Sequence, residues 1–214
     1  MTKRQTITRY AITLIVLFFI FSPTFVLDEN NRDLFFDEGG IIEVASAIGY
    51  FLCALLILYK GKINYLRKYY YFILLIIMCG FRELDFHKRF TTMGILKIKF
   101  FISPSVPFTE KLVGFLIVLL LLHVLISIYR YHFRQFIEGL KNHSTISIGV
   151  FIIMILLGVS KTLDGISRKM GSFEIEIESQ IAIHLAALEE VLELGIPMFL
   201  LLIYYAYFDK YKSK

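Results

Sequence analysis

The stretch LVGFLIVLLLL, residues 112–122, decides the fold class, because no side chain in it is polar. Widened to Thr109–Tyr129, the run reaches the roughly 20 residues that a helix needs to cross hydrocarbon. A helix apolar on every side belongs in lipid or deep inside a large protein. This chain has 214 residues, 57% of them hydrophobic and only 19% charged, and its mean hydropathy is +0.68. A chain of that size has too little interior to hide so much apolar surface. The composition excludes a soluble globular enzyme, a disordered chain and a disulfide-stapled secreted module.

Working outward from that run, five more segments have similar character. They are Tyr10–Leu27, Gly39–Tyr59, Tyr69–His87, Thr145–Leu163 and Gln180–Phe208. The first follows Lys3, Arg4 and Arg9 as a signal peptide would. It closes on FSPTF without a small-x-small cleavage site, so it reads as a retained anchor. The Tyr69–His87 run is purely apolar only as far as Phe81, and it spans only if Arg82–His87 continue the helix. The expected fold is all-α: one polytopic transmembrane domain over residues 1–214, with six transmembrane helices.

Lysine and arginine orient the spans. The N-terminal segment, loop 60–68, loop 130–143 and the C-terminal tail hold thirteen basic residues against two acids, Glu138 and Asp209. The remainder holds ten basic residues and sixteen acids. An even number of spans with both termini cytoplasmic accounts for this asymmetry. It also accounts for the net charge of +5 and pI of 9.1 without nucleic acid, since the basic residues form no single stripe. Cys53 and Cys79, both within apolar runs, read as small buried hydrophobes.

Two segments on the other side alternate with period two: ILKIKF at 95–100 and FEIEIE at 173–178. As paired strands they would set lysines against glutamates over the helix ends. Alternatively, residues 173–178 begin the sixth helix, where acids suit the positive end of its dipole.

Ionisable groups within hydrocarbon are costly and usually have a partner or a task. Here they concentrate in the outer leaflet: Glu43 on the second helix, Glu83, Asp85 and His87 on the third, Lys161 and Asp164 on the fifth. His184, Glu189, Glu190 and Glu193 lie on the sixth. On an unbroken helix Glu83 and His87, four residues apart, share a face, as a carboxylate and imidazole binding one metal would. Glu43, Ser46, Tyr50 and Cys53 form one stripe. Glu189, Glu190 and Glu193 cluster, with Gly195-Ile196-Pro197 bending the helix beside the deepest of them. His184 lies about opposite Glu193 at roughly 100° per residue and is left outside the cluster. Glu43, Glu83, His87 and Glu190 are therefore expected to converge on one pocket floored by Glu193.

The sequence lacks G-x-S-x-G, H-E-x-x-H, Walker A and G-x-G-x-x-G. Glu189-Glu190 opens the E-E-x-x-x-R pattern of intramembrane CAAX-type proteases, but position 194 is leucine. The D-E-G-x-x-E of Asp37, Glu38, Gly39 and Glu43, followed by the R-E-x-D-x-H of Arg82, Glu83, Asp85 and His87 and a late acidic helix, resembles uncharacterised bacterial multi-pass membrane proteins. That resemblance covers residues 37 to about 200 and implies the bacterial inner membrane, with no activity attached.

Three function classes follow. The first is a metal-assisted hydrolase or transferase acting on a lipid-linked substrate. Its metal ligands would be Glu83, His87, Glu190 and Glu193, with Glu43 or Asp164 as base. The divalent metal would be zinc, iron or manganese. The second is a proton- or ion-coupled transporter centred on Glu193, and the third a non-catalytic membrane partner or immunity-type protein. The lipid bilayer is the common partner.

Overall fold

The computed structural model describes residues 2–37, 39–166 and 178–212. Every regular element among them is helical. Helix α1 (Lys3–Phe21) starts at a capping box: Thr2 Oγ1 accepts from the Gln5 N–H at 3.3 Å, and Gln5 Oε1 accepts from the Thr2 N–H at 2.9 Å. This satisfies two of the donors that a helix start leaves open. Pro23 tightens the exit of α1 into a 3₁₀ turn, Ser22–Phe25. Then follow α2 (Glu29–Phe36), the long α3 (Ile41–Glu83), short α4 (Phe86–Arg89) and α5 (Ile98–Ile102), α6 (Phe108–Lys141), α7 (Thr145–Leu163) and α8 (Ser179–Lys212).

Helix α8 is the axis of the bundle. Ala187, Val191, Leu194, Ile196, Phe199 and Ile203 are all buried against α1, α3 and α7. The pairings set the direction of each neighbour. Along α8, Phe25 packs on His184, Leu17 on Gly195 and Tyr10 on Phe199, so α1 is antiparallel. The same reading applies to α7, where Ser160 meets Glu193 and Gly149 meets Ile203. In the second half of α3, Arg82 meets Glu193 and Phe72 meets Tyr204, again antiparallel. The first half runs parallel to α8, with Gly49 against Pro197 and Tyr65 against Phe208.

Among the described residues, five helical segments are long and apolar enough to cross a membrane: Lys3–Phe25, Glu29–Ile63, Phe108–Lys141, Thr145–Leu163 and Ser179–Asp209. Helix α6 presents Leu112, Phe115, Leu116, Leu119, Leu122 and Ile126 to its surroundings. Water would solvate such a face badly and lipid solvates it well. The run Tyr69–His87 is not among the five. Its helix occupies the second half of α3, after non-helical backbone at Lys62 (φ 52°, ψ 166°) and Tyr69 (φ −124°, ψ 27°). Residues 70–83 rise only about 21 Å at about 1.5 Å per residue, short of the roughly 30 Å of a hydrocarbon core.

Two expectations from the sequence are corrected. Residues 95–100 do not form a strand, since Ile98–Ile102 turn into α5 and pack Phe100 beneath Ile95 and Val106. Burial of Phe100 against Ile95 and Val106 overrides the alternation there. Of the proposed partner strand, residues 173–177 lie outside the described residues. The third apolar run also fails to continue as one helix to His87. Helix α3 ends at Glu83 and Asp85 takes the left-handed conformation (φ 50°, ψ 26°), so α4 starts on a new axis. The shared face inferred for Glu83 and His87 requires an unbroken helix and does not hold.

Candidate functional site

An ion-paired acidic cluster sits where α3, α7 and α8 meet, at the end of the bundle away from both Arg9 and the turn at Lys60. Glu193 is its centre. Its carboxylate is buried and accepts from Arg82 Nη2 at 3.1 Å on each oxygen, with Lys161 Nζ at 3.1 Å and Ser160 Oγ at 2.8 Å. Three elements thus converge on one carboxylate. Each donor is charged or aligned, as a group this deep requires.

Around it, the acids outnumber the cations. Glu83 is buried, with Arg82 Nη1 3.9 Å away, and it interacts electrostatically with Glu193 and Glu43. Glu190 interacts electrostatically with Glu193, Glu43, Glu189 and Glu83. Among the described residues, five carboxylates therefore act on one another beside two cations, Arg82 and Lys161. Like charges gathered in a low-dielectric interior repel one another, and a proton or a further cation relieves that repulsion.

The structure brings Glu43, Glu83, Glu190 and Glu193 together. Glu43 also has a local task, since its carboxylate accepts from the Gly39 N–H at the start of α3. Asp164 ends α7, where Lys161 Nζ lies 3.4 Å from it, and its half-exposed side chain stands at the rim beside Glu189. The side chain of His87 lies outside the described residues. His184 turns its ring onto Phe25 at 4.6 Å between centroids, and its buried Nδ1 has no hydrogen-bond partner. The stripe on α3 lines the interior: Ser46 and Cys53 are fully buried, and Tyr50 faces Cys79, Glu83, Arg82 and Glu193.

His87, one of the four expected ligands of a divalent metal, has its side chain outside the described residues. Among the described residues, no group of three or more His, Cys, Asp and Glu side chains is arranged to hold one. Glu193, one of the expected ligands, already has its oxygens taken by Arg82, Lys161 and Ser160. Two cavities lie elsewhere. One, of about 290 Å³, is an apolar cleft between Leu34 and the start of α3. The other, of about 420 Å³, lies between the second half of α3 and α6. Sequence reasoning missed the residues of this second cavity, although the Tyr69-Tyr70-Tyr71 triplet was a visible signal. It also missed Ser160, a small polar residue with nothing in its spacing to distinguish it.

Fold and site together define a helical membrane protein with a charged cluster buried between its helices. No protein family matches the chain, and comparison with curated proteins and with solved structures finds no similar one.

Proposed function

We propose that this chain is a proton- or cation-binding protein of the coupled-transporter class, working in the bacterial inner membrane. It would have six membrane-crossing segments and both termini cytoplasmic. The observation that carries the reading is the imbalance at Glu193. Arg82, Lys161 and Ser160 all donate to that one carboxylate, Arg82 also lies 3.9 Å from Glu83, and among the described residues Glu190 adds a further acid beside them. Carboxylates brought near one another favour a shared proton or a bound monovalent cation such as sodium. Gaining or losing that charge would change the attraction among α3, α7 and α8, which is the kind of element a coupled carrier uses. The basic residues of α1, the turn near Lys62 and the end of α6 favour the cytoplasmic assignment of that end. The antiparallel course of residues 70–83 beside α8 supports a sixth, short crossing.

Electrophysiology of proteoliposomes on a solid-supported membrane tests the reading without a known substrate. Jumps in pH or sodium concentration should displace charge in the wild-type protein and not in Glu190→Gln. A folded wild-type protein that gives no displacement with either ion would overturn it. The hydrolytic reading lacks a ligand set among the described residues, and no reaction step is derived for it.

A further inference from the structure

At the opposite end of the bundle, the cavity of about 420 Å³ is lined by Lys68, Tyr70, Tyr71, His123, His132 and Gln135, among others. Its walls are held in place by two paired contacts. Tyr70 Oη lies 2.7 Å from His123 Nε2, and Tyr71 Oη lies 2.7 Å from His132 Nε2. Each bond ties the second half of α3 to α6, so the cavity keeps its shape by side-chain bonding across it. Lys68 stands at the mouth, its Nζ 5.2 Å from the Tyr69 ring centroid. It is close enough to His132 for the two basic groups to act on one another electrostatically. Among the described residues, no Asp or Glu belongs to the lining, so Lys68 stands beside an aromatic hollow that holds no carboxylate.

We propose that this cavity binds the phosphate headgroup of an anionic phospholipid. Three observations select that occupant. The volume falls in the range of small-molecule sites. The charge is complementary: Lys68 within, and Arg67 and Arg130 nearby in the chain, favour an anion. The lipid-facing flank of α6 leading to the cavity, Leu119, Leu122, Leu125 and Ile126, is exposed and apolar, which suits acyl chains. Basic pockets between membrane helices hold anionic headgroups in this way. The Tyr131 hydroxyl adds a hydrogen-bonding group for a headgroup's oxygens. The inference goes beyond the acidic cluster and stands whether or not that cluster binds protons.

Native mass spectrometry of detergent-solubilised protein with phosphatidylglycerol or phosphatidylcholine provides the test. Phosphatidylglycerol should be retained more strongly, and Lys68→Gln should weaken it about fivefold, the share of one basic residue. Lys141→Gln, an exposed change at the same end outside the cavity, should leave retention unchanged. His132→Ala serves as the second variant should Lys68→Gln not fold. Equal retention of the two lipids, or equal loss in Lys68→Gln and Lys141→Gln, would overturn the assignment. Displacement of the lipid by inorganic phosphate alone would make the site one for a soluble anion and overturn it too.

Discussion

Arg82 reaches Glu193 across 111 residues of sequence and donates from one nitrogen, Nη2, to both carboxylate oxygens at 3.1 Å. The contact joins α3 to α8 at the level where Ser160 and Lys161 bring in α7. Replacing Arg82 by methionine removes the bifurcated partner and leaves Glu193 to Lys161 and Ser160. Breaking a buried pair from one side costs about 3–5 kcal/mol. The remaining lysine and the partial exposure of Arg82 bring the expectation to roughly 2 kcal/mol. Ser160→Ala, losing one interhelical hydrogen bond, should cost about 1 kcal/mol. Thermal unfolding in detergent should rank the two in that order, and the reverse order would deny Arg82 its role as the main clamp.

Helix packing yields a second expectation. A Cβ added at Gly49 would stand 2.9 Å from Cβ of Pro197, part of a rigid and fully buried ring. Neither side can give way by a simple rotamer change, so Gly49→Ala should destabilise by about 1–3 kcal/mol. Gly158 on α7 has nothing within 4 Å of the equivalent point. Gly158→Ala should therefore be neutral, or stabilising by up to about 1 kcal/mol through helix propensity. Denaturation midpoints of the two variants, compared under one condition, check this. A harmless Gly49→Ala would mean that α3 and α8 are not so closely packed.

The membrane class and the acidic cluster were legible because both are written in composition and spacing. Hydrocarbon tolerates few charges, so Glu43, Glu83, Glu190 and Glu193 stood out against their apolar surroundings and could be grouped by helical phase. What phase could not show was a change of axis. Glu83 and His87 share a face only if Asp85 is helical, and a left-handed Asp85 is a local backbone choice that no periodicity reveals. The alternating ILKIKF segment misled for a related reason. Isoleucine and phenylalanine suit strand or helix equally, and burial of Phe100 decided for the helix. The Tyr70–His123 and Tyr71–His132 pairs depend on contacts 53 and 61 residues apart, which a single sequence does not encode as spacing.

The turn within α3 carries backbone strain. Lys62 adopts φ 52° with ψ 166°, a region that a residue with a Cβ avoids. Glycine enters it freely, so Lys62→Gly should stabilise the folded chain by roughly 1 kcal/mol net of the entropy glycine loses. Lys62→Val, β-branched, should destabilise by more than that. Both effects can be read from unfolding in detergent. Destabilisation by glycine as large as by valine would show that the lysine side chain, not the backbone, matters at this turn.

Topology is the last expectation, and it rests on the charge asymmetry together with the alternating pairings along α8. Cation–π contacts of Arg9 and Lys60 on the Tyr205 ring, at 5.4 Å and 4.3 Å, bring the start of α1, the turn of α3 and the end of α8 to one end of the bundle. Thr92, bonded to Glu110 through its N–H and hydroxyl at 2.9 Å and 2.8 Å, joins the loop after α4 to the start of α6. If residues 70–83 cross, these two regions lie on opposite sides. In a cysteine-free background, Thr92→Cys should react with a membrane-impermeant maleimide in cells whose outer membrane has been opened. Lys62→Cys should react only after lysis, and a reporter fused to the C-terminus should be active in the cytoplasm. Labelling of both positions from outside, or of neither, would mean that the short helix dips into the membrane and returns. Five crossings would then put the two termini on opposite sides, against both the basic residues and the shared Tyr205 contacts.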